Sequence, residues 1–298
     1  MTKTWYGLNP VIPKTLYHYT SVDAMMSILG HKNGFVRMMA TDCHFLNDDY
    51  EYRFGCREAL KWLAGRPGMS SDFVSKVKRR LSRRDKWGEY PWITSFCAER
   101  DKTVQWMAYS DSKKGGVAIG FDTLKLRDRI HMIDDKIKES SHALPDMVSG
   151  GSLLAPCIYH SVNQRNPPDD FMRMLEYVVS DKESFYHWLQ TDSDKYAAYC
   201  ARHIVLISSL LKSDEFQFEN EWRISIIPSG DFLKDKQRVV GNKVRLTLRE
   251  FIPQDVISEI VLSPHGNRRL IAASVWELKS RYGYEFSVCE SKSSYNGR

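Results

Sequence analysis

The chain has 298 residues, of which 42% are hydrophobic, 12% aromatic and 27% charged, values that suit a folded globular protein and exclude extensive disorder. Six cysteines (Cys43, Cys56, Cys97, Cys157, Cys200 and Cys289) contain no C-x-x-C pair, which argues against a zinc ribbon or a disulfide framework and suits a reducing cytoplasm. The net charge of +6 favours an anionic partner without requiring one, and neither the start at Met1–Tyr6 nor the apolar run around Ile204–Leu211 predicts export or membrane insertion.

After an arm ended by Pro13, Leu16–Thr20 reads as a short aromatic strand, placing His18 directly before a helix capped by Ser21. A hydrogen-bonded core histidine accounts for His18 unless a second site faces it. Gly34–Ala40 predicts another strand. Asn47 or Asp48 then caps a helix running to Leu63, closed by Gly65-Arg66-Pro67-Gly68. A basic helix follows over 71–84, and its cations, Lys78, Arg79, Arg80 and Arg83 among them, read either as a solvated face or as a phosphate-contacting patch.

Tyr90–Cys97 predicts a strand with Ile93, Ser95 and Cys97 on one face, Ser95 being small and polar among apolar neighbours. In the short helix after it, Trp106 and Tyr109 share a side at i and i+3. Gly115–Phe121 is an apolar strand led by a glycine turn, without the spacing of a phosphate-binding loop. Residues 122–150 are polar and predict an insertion or flexible edge, and Leu153–His160 restores a strand. Two helical stretches between Asp169 and Lys212 are expected to cover the sheet.

Trp222, Ile224 and Ile226 alternate with Arg223 and Ser225, the period-2 signature of a half-buried strand, so Glu221 is expected at the strand's N-terminal mouth. Glu219 shares that face if the strand begins early, or swings over the same site if 214–220 is a loop. Two solvated carboxylates, with Glu221 paired locally to Arg223, account for the same residues. Further strands are expected at Lys243–Leu248, Ile257–Leu262 and Glu285–Cys289, with a helix over 267–281.

These positions, with their flanks, resemble a bacterial and phage family of unassigned function. Its marks stand here as Tyr17–Ser21, Asn47–Glu51, Gly116–Phe121 and Glu221–Arg223. That family in turn resembles a remote branch of the ADP-ribosyltransferase superfamily. The resemblance implies one α+β domain over 1–298, a split β-sheet core with helices on its faces, and a more variable, largely helical insertion at about 122–212. It implies NAD as substrate and no metal. His18 would hydrogen-bond the adenosine ribose, the backbone of Tyr19 would hold the nicotinamide amide with Thr20 beside it on the cofactor side, and Ser95 would brace Glu221. Trp106 or Tyr109 would stack on nicotinamide.

Breaking the nicotinamide glycosidic bond develops positive charge on the ribose, which a fixed carboxylate at Glu221 would stabilise, with Glu219 as general base on the acceptor. The implied function is an intracellular toxin or phage-defence effector modifying RNA or protein, held in check by an antitoxin or other neutralising partner. A metal-independent ribonuclease using His18 or His44 with Glu221, and a non-catalytic binding module, are the competing expectations.

Overall fold

The computed structural model describes residues 8–31, 33–46, 49–82, 90–140, 151–161, 163–164, 166–179, 192–227, 237–240, 243–248 and 251–297. Its strands are β1 (Thr15–Ser21), β2 (Met39–Asp42), β3 (Trp92–Cys97), β4 (Gly116–Asp122), β5 (Ser152–Pro156), β6 (Ile158–His160), β7 (Leu211–Ser213), β8 (Glu221–Ile226), β9 (Gln237–Val240), β10 (Lys243–Thr247), β11 (Ile257–Leu262) and β12 (Ser287–Glu290). Between them lie α1 (Val22–Leu29), α2 (Asp49–Gly65), α3 (Ser71–Leu81), α4 (Thr103–Tyr109), α5 (Thr123–Ser140), α6 (Asp169–Val179), α7 (Ser193–Ser208) and α8 (Arg268–Tyr282). The class is α+β.

Ten strands form one largely antiparallel sheet, with β11–β12 as its parallel pair. The way β3 is shared determines the sheet's shape. One edge of β3 pairs along its whole length with β8, from Trp92↔Ile226 to Cys97↔Glu221. The other edge is divided: β2 takes Trp92 and Ile93, while β1 touches it at the single pair Tyr17↔Cys97. Four strands (β12, β11, β4, β1) therefore diverge from the remaining six, leaving a fork beside Thr94–Phe96.

Local chemistry explains most elements. Ser21 accepts from the Ala24 amide (3.2 Å) and Ser70 from the Phe73 amide (3.1 Å), caps worth about 1 kcal/mol each. Gly115, at φ +81° with no room for a Cβ beside the His265 carbonyl, makes the turn into β4.

Three expectations need correction. Gly34–Ala40 is mostly not a strand, because its amides and carbonyls pair with three separate segments: Val36 with Ile252, Arg37 with Ile28 and Met38 with Leu248. The polar stretch after residue 122 carries α5, whose Leu126, Ile130 and Ile133 are fully buried one turn apart, each contributing about 1.5–3 kcal/mol. The expected strand Leu153–His160 breaks after Pro156: β5 joins the main sheet beside β8, while β6 pairs in parallel with β7. The segment 122–212 carries α5, α6 and α7 and also supplies β5 to the central sheet. The caps expected at Asn47 and Asp48 lie outside the described residues.

Candidate functional site

The fork between β1 and β2 holds two cavities. A small one, about 60 Å³, is lined by Tyr17, His18, Tyr19, Ser95, Gln105, Tyr109, Glu219 and Glu221, among others. A larger one, about 510 Å³, has walls from β1, α1, β2, β3 and β10. His18, Tyr19, Ser95 and Tyr109 line both, so the two meet at these residues.

His18 sits at the meeting point. Its Nδ1 lies 3.0 Å from the Ser95 carbonyl oxygen. A carbonyl only accepts, so Nδ1 carries the proton. Burial lowers the His18 pKa, opposed by the Ser95 carbonyl and aided by the charge of Arg245. The ring is therefore neutral near pH 7, with Nε2 left as an acceptor. Sequence reasoning pairs Ser95 with the glutamate through its side chain; here its carbonyl, exposed where the β3 edge lacks a strand neighbour, orients His18.

Glu221 departs from expectation in its setting. All six residues of β8 are buried, and Glu221 is only 5% exposed, so it is not a solvated strand end. The polar face of β8 is covered: Ser225 bonds to Ser209 (2.6 Å), and Arg223 Nη1 donates to the Ser209 carbonyl (2.7 Å). The local pair with Arg223 exists as a buried fork, with Nε donating to Oε1 at 2.8 Å and Nη2 to Oε2 at 3.1 Å. Lys212 on β7 donates to Glu221 (2.8 Å) and to Glu219 (2.7 Å). Burial alone would raise the Glu221 pKa; the Arg223 and Lys212 charges outweigh it and hold the pKa at about 2. Glu221 is an ion of fixed orientation at any ordinary pH.

Glu219 ends a 3-10 turn, Asp214–Glu219, so the loop alternative for 214–220 is the one that fits. Asn220 then adopts the left-handed conformation (φ 46°, ψ 52°), which Asn tolerates better than most residues. The two carboxylates flanking this reversal converge on the Lys212 ammonium.

The remaining predicted residues separate clearly. Thr20 lines the larger cavity. Tyr19 is buried, its hydroxyl donating to the Glu99 carbonyl (2.8 Å) and accepting from the Lys102 amide (2.9 Å). Trp106 is fully buried beneath Tyr19 and donates to Asp101 (2.7 Å), so it lines neither cavity. Tyr109, 44% exposed, lines both; its hydroxyl pKa is raised by burial and by the nearby Glu219 and Glu221 charges. Of the two aromatic candidates, Tyr109 is the one with a free face.

On the basic helix, Lys76 is held by Asp72, Ser193 and Asp194, and Arg80 donates to the Asp194 carbonyl (3.1 Å). Lys78 and Arg79 remain exposed, and Arg83 lies outside the described residues. His44 bonds to Asp42 (2.8 Å) and lines neither cavity. Asp42, Cys43 and His44 place ligand atoms within 4.8 Å of one another, but Asp42 is occupied by the turn it caps, and burial raises the Cys43 thiol pKa. Among the described residues no helix is long and apolar enough to cross a membrane.

Sequence reasoning missed Lys212, Gln105 and the cations Arg37, Lys243 and Arg245 of the larger cavity. A signal for Lys212 existed: it directly follows a long apolar run, where a buried cation needs an acid partner.

The molecule is thus a mixed α+β protein with a forked sheet and a buried, cation-clamped carboxylate at the fork. A family model described as a protein of unknown function (DUF2971) matches residues 105–224, from α4 to β8. That span includes Tyr109, Lys212, Glu219, Glu221 and Arg223, but neither His18 nor Ser95. No curated protein and no solved structure matches the chain.

Proposed function

We propose that the chain is an NAD-dependent ADP-ribosyltransferase. The observation that carries this reading is the convergence of His18 from the first strand, Tyr109, and the ionised Glu221 on one cavity, although more than 200 positions separate His18 from Glu221. The joined cavities suit a nucleotide-sized ligand, since small-molecule clefts span about 300–1,000 Å³. His18 Nε2 accepts a ribose hydroxyl, the Tyr109 ring covers the nicotinamide, and Glu221 stands where positive charge develops on the ribose as nicotinamide leaves. Arg223 and Lys212 neutralise part of its charge but fix its direction, so little reorganisation accompanies the reaction. Glu219 lies on the acceptor side as general base.

The acceptor is RNA or a protein, and exposed Lys78 and Arg79 favour RNA. An intracellular toxin or defence effector, cytoplasmic and restrained by a neutralising protein, is the biological role this chemistry fits.

Incubating purified protein with NAD, with and without cell lysate, tests the reading by measuring free nicotinamide. Release above background is expected, together with a higher melting temperature in NAD. His18→Ala should weaken NAD binding while leaving the melting temperature of the unliganded protein close to wild type. No release under any of these conditions, with RNA cleaved instead, would favour a ribonuclease.

A further inference from the structure

Among the described residues that line the larger cavity, Arg37, Lys243 and Arg245 are the ionised side chains and none is a carboxylate. Arg37 comes from the segment leading into β2. Lys243 and Arg245 are alternate residues of β10 and so share a face. Arg245 pairs across the strands with Thr41, itself part of the wall.

Cations at a protein surface ordinarily find acids. Among the described residues, none of these three makes a salt bridge, and the Arg245 Nε is shielded from solvent without a hydrogen-bond acceptor. By contrast, the cations of the Glu221 cluster and of the α3–α7 contact are all satisfied. A buried donor left unpaired beside a polar cavity indicates an acceptor supplied from outside.

We propose that Arg37, Lys243 and Arg245 seat the diphosphate group of a nucleotide ligand in the larger cavity. Guanidinium forks match phosphate oxygens, and an ammonium adds a point charge. Lys243 and Arg245 lie about 7 Å apart along the strand, and their long side chains reach far enough to converge on one diphosphate. A volume of about 510 Å³ between α1 and β10 holds one nucleotide ligand rather than the track of a strand of nucleic acid. The ligand's orientation rests on the transferase reading: a diphosphate at this wall sends the nicotinamide end past His18 to Tyr109 and Glu221, which puts the His18 hydrogen bond on the nicotinamide ribose and not on the adenosine ribose that the family resemblance implies. The seat itself requires only a nucleoside diphosphate.

ADP, which lacks the reactive ribosyl bond, is the probe. Isothermal titration should show wild-type protein binding ADP more tightly than AMP by about tenfold or more, as expected when charge-assisted bonds to a second phosphate are lost. Arg245→Gln should weaken ADP binding by a similar factor and narrow the gap to AMP, with the unliganded melting temperature unchanged. Should that variant fail to fold, Arg37→Gln and Lys243→Gln carry the same expectation. The proposal is overturned if ADP does not bind, if the folded variants bind it as wild type does, or if a short single-stranded RNA binds through these cations while ADP does not. Nicotinamide release, measured on the same samples, keeps the two readings apart. ADP binding through these cations with NAD left intact would sink the transferase reading and keep the seat; NAD turnover by Arg245→Gln with unchanged KM would do the reverse.

Discussion

Glu221→Gln is expected to lower the rate of nicotinamide release by about a hundred- to a thousandfold while leaving NAD affinity nearly unchanged. The amide keeps the shape of the carboxylate but not its charge, and a charge that acts on the transition state is lost from kcat rather than from ground-state binding. The structure adds a second expectation. Arg223 and Lys212 both donate to Glu221 in a buried setting, so the variant also melts at a lower temperature. Rates must therefore be expressed per folded, NAD-competent molecule, counted by binding stoichiometry. A carboxylate that serves only to clamp β7 to β8 loses activity no faster than it loses folded protein. If the folded fraction of the variant turns over at the wild-type rate, Glu221 is an internal brace and the transferase assignment loses its central residue. Glu219→Gln makes a narrower expectation: NAD hydrolysis persists and transfer to an acceptor falls.

What the sequence revealed was local. Alternation in Trp222–Ile226 marked β8, a serine cap marked α1, and a glycine pair marked the turn into β4, because each depends on neighbours within a few residues. What it concealed depends on pairing across the chain. Glu221 reads as a solvated strand end until β5, β6 and β7 are placed around it, and nothing near residue 221 announces that Lys212 lies under it. The fork itself follows from two strands, β1 and β2, claiming opposite ends of one edge of β3, a competition invisible in either strand alone. The short β9 escaped for a related reason. Its burial is slight and its ladder runs only to β10, so its residues show no core-facing alternation. The α5 helix was missed through composition, since Leu126, Ile130 and Ile133 fill one narrow stripe among charged residues.

The same contrast governs Ser95. The resemblance makes its side chain a brace for Glu221, yet its contact is with His18 and uses the Ser95 carbonyl, which every residue possesses. Ser95 is therefore replaceable by Ala without loss of the His18 orientation, whereas its small size keeps the meeting point of the two cavities open.

Arg223→Met should be the most destabilising single change at the site, by about 3–5 kcal/mol, the usual cost of removing one partner from a buried ion pair. Arg223 is 4% exposed and holds both Glu221 oxygens and the Ser209 carbonyl; without it, Glu221 keeps Lys212 alone. Against a typical total stability of about 5–15 kcal/mol, a loss of this size should move the urea midpoint far enough to leave part of the chain unfolded at neutral pH. Acid titration gives an independent check. The folded pKa of Glu221 is lowered from 4.5 to about 2, so between those values the unfolded chain binds the extra proton. The stabilisation is present above about 4.5 and lost as pH falls towards 2, a change of roughly 3 kcal/mol. Asp101 and Glu259 also have lowered pKa values, so the Glu221 share is obtained by comparing wild type with Glu221→Gln across the same range. The double change Glu221→Leu with Arg223→Met removes both charges and should recover much of the stability lost in Arg223→Met, because the cost lies mainly in a buried carboxylate left with one cation, and Lys212 retains Glu219 as its partner. Urea unfolding of the four proteins at pH 7 and pH 3 decides the matter. Equal stability of Arg223→Met and wild type at pH 7 would mean that Lys212 alone holds Glu221, and the fork from Arg223 would lose its place as the clamp on that carboxylate.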